Sequence, residues 1–187
     1  MTPPNADAPD LARRRLIRLA GVLRWLLLAA ASAIPIVVLL IAVLAPDWVL
    51  MRPGLAGLPL QPAAEDPWRL RAAIAAGALP SLVLIWGLIR LASLFRHVSD
   101  GQVFSEAGAR ALRDFAVAVL AHAALVPVGY SLTIVILTAA NPPGERHVAI
   151  TLGSDDAARV LIGLVFLAVA WILREGRRIA DENELMI

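Results

Sequence analysis

Apolar positions in this chain do not alternate as in a half-buried strand, nor keep to one stripe as on a soluble helix. They gather instead into four long runs, at 25–45, 72–95, 115–140 and 157–173. A helix rising about 1.5 Å per residue needs roughly 20 apolar residues to cross a hydrocarbon core about 30 Å thick, and each run meets or approaches that length. The fourth is the shortest, but Leu152 and Gly153 before it and Ile179 after it let its helix continue into the interfaces. The pattern predicts an all-α integral membrane protein, an antiparallel four-helix transmembrane bundle with cytoplasmic helical extensions.

The segments between the runs are polar, and each carries its own punctuation. Residues 1–24 form an Arg-rich amphipathic N-terminus, with Leu11, Leu16, Leu19 and Leu23 set among Arg13, Arg14, Arg15, Arg18 and Arg24. Such a segment can lie on anionic lipid before the first span turns inward, or serve only to set topology. The run beyond Trp25 is about twice the length of a signal-peptide core, which predicts a retained first span. Loop 46–71 is rich in Pro and Gly and reads as an irregular excursion. Loop 141–156 opens with an Asn-Pro-Pro-Gly turn, and the alternation from His147 to Leu152 predicts one short strand. Ser154 or Asp155 then has the chemistry of a helix N-cap. Between the second and third runs, a helix should continue to Val98, break at Asp100-Gly101, and restart on a Ser105 cap, giving a tight helical hairpin. The fourth helix should likewise extend through residues 174–180, with 174–187 forming a C-terminal helix and acidic tail.

Charge sets the orientation. Twelve Arg fall in the N-terminal segment, the middle hairpin and the C-terminus, whereas the two opposite loops hold Arg52, Arg69, Arg71 and Arg146, with Arg159 at the edge of the last span. Basic residues in short loops are retained on the cytoplasmic side, so both termini of a multi-pass membrane protein are expected to be cytoplasmic. All seventeen basic residues are Arg, and Ala and Leu are abundant, as in a GC-rich bacterial genome. The net charge of +2 gives no basis for direct nucleic-acid binding. With no Cys, thiolate metal sites and thiol nucleophiles are excluded.

Candidate chemistry is sparse. No nucleophile elbow, phosphate-binding loop or zinc-helix motif is present, so no enzyme activity and no cofactor are expected. His97, His122 and His147 fall at three different depths and cannot share one ion. His122 lies about 10 Å inside the third run, at the helical rise. An intramembrane His is a functional candidate by default, but a neutral imidazole bonded to a neighbouring helix explains it as well. Pro35, Pro80 and Pro127 sit centrally in the first three runs. Kinked helices line sites in transporters, whereas proline is also simply common in membrane helices, its freed carbonyl then met by a neighbour such as Ser81. Small residues at four-residue spacing, Ala29 with Ala33, Gly77 with Ser81 and Gly129 with Thr133, allow close helix approach.

Read together, Phe95-Arg-His-Val-Ser-Asp-Gly-Gln-Val-Phe-Ser105, Thr151-Leu-Gly-Ser-Asp-Asp156 and the tail from Ile172 to Ile187 resemble the bacterial membrane family called domain of unknown function 2975. The most specific motifs are Gly-x-Val-Phe-Ser in the hairpin and Arg-Glu-Gly followed by Glu-Asn-Glu-Leu at the end. Ile179-Ala-Asp181 departs mildly from the carboxylate or Gln frequent there. The resemblance implies a small four-span inner-membrane protein, often encoded beside a small helix-turn-helix regulator, and so implies a partner more than a reaction. Two functional readings follow. The first is a non-enzymatic regulatory or sensor protein whose hairpin and tail hold a cytosolic helix-turn-helix regulator at the membrane through Arg96, Asp100, Gln102, Arg174, Glu175, Arg178, Glu182 and Glu184. The second is a small transporter or oligomeric channel with a path near His122 and the central prolines. Besides the lipid bilayer and that regulator, a second copy of the chain is a candidate partner.

Overall fold

The structure is a computed structural model that describes residues 7–184 apart from 53–54, 56–57, 59 and 101–104, with side chains described from Arg14 to Ile179 apart from Ala63. Four long helices make up the molecule: α1 (Asp7–Leu44), α2 (Pro67–Ser99), α3 (Glu106–Thr138) and α4 (Ser154–Glu184). At 38, 33, 33 and 31 residues they are roughly 45–57 Å long, so each outlasts a bilayer core of about 30 Å. All four are long and apolar enough to cross a membrane. The chain is a multi-pass membrane protein. The amphipathic N-terminus and the first span form one uninterrupted helix, with no turn between them.

The helices pack in chain order, α1 on α2, α2 on α3 and α3 on α4, and no comparable interface closes α1 onto α4. The α2–α3 contact is the most extensive, and small residues explain why. A Cβ placed on Gly87 would stand 2.5 Å from the Ala118 Cβ, and one on Gly129 would stand 2.9 Å from Pro80 Cγ. Those notches let two backbones approach closely where lipid supplies no hydrophobic drive. Thr133, wholly buried, adds a polar tie by donating to the Ala73 carbonyl at 3.1 Å across the contact. The Gly77 and Gly129 spacings therefore belong to a real interface, whereas Ala29 and Ala33 are exposed. Helices α1, α2 and α3 run through Pro35, Pro80 and Pro127. Ser81 does not meet the Ala76 carbonyl that Pro80 leaves free; its hydroxyl donates to the Ala78 carbonyl at 2.6 Å.

The hairpin end holds the α2–α3 connection and the end of α4. There Ser105 caps α3, its Oγ accepting from the Gly108 N–H at 3.0 Å. A cluster of Leu91, Leu112, Phe115, Val119 and Ala170 lies beneath, with Phe115 and Phe166 meeting edge-to-face at 5.1 Å.

The opposite end, the loop end, is more ordered than its Pro and Gly content suggests. Two 3₁₀ turns, Pro46–Met51 and Pro62–Glu65, fold back on the bundle. Val49 and Leu55 are buried there against Leu70, Ala73, Ile134 and Leu137. No strand forms between His147 and Leu152, because among the described residues no strand lies beside it to pair with. Side chains of α3 hold that stretch instead. Ser131 donates to the Ala149 carbonyl at 2.6 Å, while Thr138 Oγ1 accepts from the His147 N–H at 3.2 Å. Gly144, with φ of +101°, takes the third position of the Pro142–Glu145 turn, where left-handed geometry favours glycine. The α4 cap lies one residue earlier than its sequence suggests: Gly153 precedes the helix, and its N–H donates to Asp156 Oδ2 at 2.9 Å.

Candidate functional site

Antiparallel packing brings the start of α3 and the end of α4 to one level at the hairpin end. Between them is a cleft of about 130 Å³ lined by Glu106, Ala109, Arg110, Arg113, Ala170, Trp171 and Arg174. Arg110 and Arg113 stand one helical turn apart on α3, so their guanidiniums share a face, and Arg174 reaches the same cleft from α4. Compensation is weak. Glu106 approaches Arg110 only to 3.8 Å, and Arg113 meets Asp114 at 3.3 Å. Among the described residues, Arg174 has no ion-pair or hydrogen-bond partner. Trp171, 65% exposed, lies beside it as an apolar shelf. This arrangement suits a carboxylate or phosphate presented next to an apolar side chain.

The sequence-predicted contact residues divide. Arg174 joins the cleft. Arg96 and Asp100 are exposed on the last turn of α2 and at its C-cap, where the Asp100 N–H donates to the Arg96 carbonyl at 3.0 Å. Glu175 and Arg178 are exposed on α4 and pair with each other, Arg178 Nε and Nη2 reaching Glu175 Oε1 at 3.1 and 2.5 Å. Gln102 lies outside the described residues, as do the side chains of Glu182 and Glu184, whose backbone is part of α4.

Arg110, Arg113 and Trp171 are additions that the structure makes to the expected surface. A further one is Asp114, which accepts Arg90 Nε and Nη2 at 2.9 and 2.5 Å across the α2–α3 contact. His122, by contrast, is occupied structurally, its Nδ1 meeting the Pro80 carbonyl at 3.0 Å. A carbonyl only accepts, so Nδ1 carries the proton in that contact. Pro80 and Pro127 are buried within the α2–α3 packing, whereas Pro35 faces a separate cleft between α1 and α2.

The family described as "Protein of unknown function (DUF2975)" matches residues 8–187. The chain belongs to the DUF2975 family. No curated protein and no solved structure matches this DUF2975 chain. The described parts of its two most specific motifs lie at the hairpin end, whereas Thr151–Asp156 leads into α4 at the loop end. Ser105 closes the Gly-x-Val-Phe-Ser motif as the α3 cap, and Arg174-Glu-Gly176 opens the tail motif at the rim of the cleft. Among the described residues, no group of three or more His, Asp or Glu side chains is arranged to hold a metal ion in this DUF2975 protein.

Proposed function

We propose that the chain is a non-enzymatic regulatory protein of the bacterial inner membrane, with both termini cytoplasmic, whose hairpin end docks a cytosolic partner through an acidic element. The observation that carries this reading is the cleft of Arg110, Arg113 and Arg174 beside Trp171. Three guanidiniums with little internal compensation are a poor way to finish a helical bundle and a good way to receive carboxylates, in bidentate geometry that lysine would not provide. The excess of Arg at this end supports its cytoplasmic placement. The partner type follows from the family resemblance, which implies a small helix-turn-helix regulator, and a regulator held here by acidic side chains would be kept from its operator.

The transport reading draws less support. His122 spends its Nδ1 on a backbone carbonyl, and Pro35 faces a different cleft from the packing that buries Pro80 and Pro127. The test is purification of tagged full-length protein from its native membranes in mild detergent, with mass spectrometry of whatever accompanies it. Near-stoichiometric recovery of a small DNA-binding protein with an acidic surface is expected. Recovery of the chain alone, as a defined oligomer, would overturn the proposal.

A further inference from the structure

At the loop end, Arg52 does not point away from the membrane. The chain turns back after the 3₁₀ segment Pro46–Met51, and the Arg52 guanidinium lies against α2 where Gly77 has no side chain: a Cβ there would stand 3.3 Å from Nη1. Gly77 is ten residues inside α2, about 15 Å from its first residue and well past the interfacial Trp68. Among the described residues, the guanidinium has neither an ion-pair nor a hydrogen-bond partner. A cation held at this depth without a counter-charge is costly, and buried or lipid-facing cations are ordinarily paired.

What surrounds Arg52 indicates what pairs with it. The guanidinium lines a cavity of about 210 Å³ with Trp48 and Val49, above Val38, Ile74 and Ala78. A second, almost wholly apolar cavity of about 340 Å³ shares Val38, Ile74, Ala78 and Ser81 with it. The two adjoin along the α1–α2 contact as halves with a common wall, Arg52 lining the first and Arg71 the second. The second half runs along Leu39, Leu82 and Ile85, and Arg71 stands in its lining. Arg71 uses Nε to hold the Ala42 carbonyl at 3.2 Å. Among the described residues, no carboxylate lines either half.

We infer that this pair of cavities is a binding site for an anionic phospholipid, with the headgroup phosphate on Arg52 and the acyl chains against the apolar lining. The occupant must be amphipathic, because the charged groups lie at one end of a lining that is otherwise apolar. It must carry net negative charge, because a zwitterionic headgroup would bring an ammonium to a site that has two cations and, among the described residues, no carboxylate. Two acyl chains below one phosphate match two adjoining apolar cavities better than a single-chain carboxylate does.

The test is native mass spectrometry of the full-length protein, titrated with phosphatidylglycerol and with phosphatidylcholine of the same acyl chains. The wild type should retain phosphatidylglycerol roughly tenfold more strongly, because both lipids offer the phosphate but only phosphatidylcholine brings an ammonium against the Arg52 guanidinium. Arg52→Gln should weaken phosphatidylglycerol and bring the two lipids to similar retention, because phosphatidylcholine loses the phosphate contact together with the repulsion of its ammonium. Ala78→Phe, which fills the floor shared by both halves, should weaken both lipids at unchanged helicity. Equal retention of the two lipids by the wild type, or undiminished phosphatidylglycerol on Arg52→Gln, would overturn the inference. Retention of glycerol 3-phosphate as strong as that of phosphatidylglycerol would overturn it too, by showing a site for a soluble anion.

Discussion

Arg90 and Asp114 face each other across the α2–α3 contact, with Arg90 Nε and Nη2 both donating to Asp114 Oδ2 at 2.9 and 2.5 Å. The pairing fixes the register of α2 against α3 as antiparallel neighbours. Asp114 is only 16% exposed in its side chain, so the pair is part-desolvated on one side and open on the other. Its charge-assisted, two-pronged geometry places it above an ordinary surface pair, at about 1–2 kcal/mol. A double-mutant cycle over Arg90→Ala and Asp114→Ala, read by thermal unfolding in detergent, should give a coupling energy of that order. Additive single effects would show that the pair contributes nothing.

The α2–α3 contact depends on missing side chains. Gly87→Ala places a methyl 2.5 Å from the Ala118 Cβ, so the helices must separate, at a cost of about 1–3 kcal/mol. Gly176→Ala meets nothing within 4 Å and should stabilise α4 by roughly 0.5–1 kcal/mol. Opposite shifts in the unfolding temperature of the two variants are the expected outcome.

At the loop end, Asn141 ties three segments together although it is itself 1% exposed. Its Oδ1 accepts from the Gln61 N–H at 3.3 Å and its Nδ2 donates to the Glu145 carbonyl at 3.0 Å. Asn141→Ala removes two part-buried hydrogen bonds to backbone groups of exposed residues, costing about 0.5–1.5 kcal/mol each. Hydrogen exchange should quicken at Gln61 and through 145–152 while α2 and α3 keep their protection.

These contacts also mark how far the chain could be read without coordinates. The four spans, the Ser105 cap and the continuation of α2 and α4 past the membrane were legible, because lipid imposes a length and polarity rule on each helix separately. The strand expected at His147–Leu152 was not found, since alternation describes a face and says nothing about a partner edge. The loop-end cap was illegible for a related reason. Burial of Val49 and Leu55 depends on Leu70 and Ile134 lying beneath them, a long-range fact that Pro and Gly content hides. At the candidate site, Arg174 could be picked out as a basic residue at a helix end. Arg110 and Arg113 needed the level of α3 against α4, and Asp114 needed the hairpin register.

Orientation has a clean test because the chain contains no Cys. Single cysteines at Val148, 75% exposed in its loop, and at exposed Asp100 report on opposite ends. With the hairpin end cytoplasmic, a membrane-impermeant maleimide should label Val148→Cys in intact cells and Asp100→Cys only after permeabilisation. The reverse pattern would place the Arg cleft outside the cell and remove its cytosolic partner.

Charge reversal tests docking most directly. Wild type and the Arg110→Glu/Arg113→Glu/Arg174→Glu variant, matched for membrane insertion and helicity, are compared for capture of the co-purifying regulator in the same mild detergent. Losing even one charge-assisted contact corresponds to roughly tenfold in affinity, so capture by the variant should fall by at least that factor, and raising the salt should weaken wild-type capture. Equal capture by both proteins, unaffected by salt, would show that the partner does not bind through the Arg110–Arg113–Arg174 cleft.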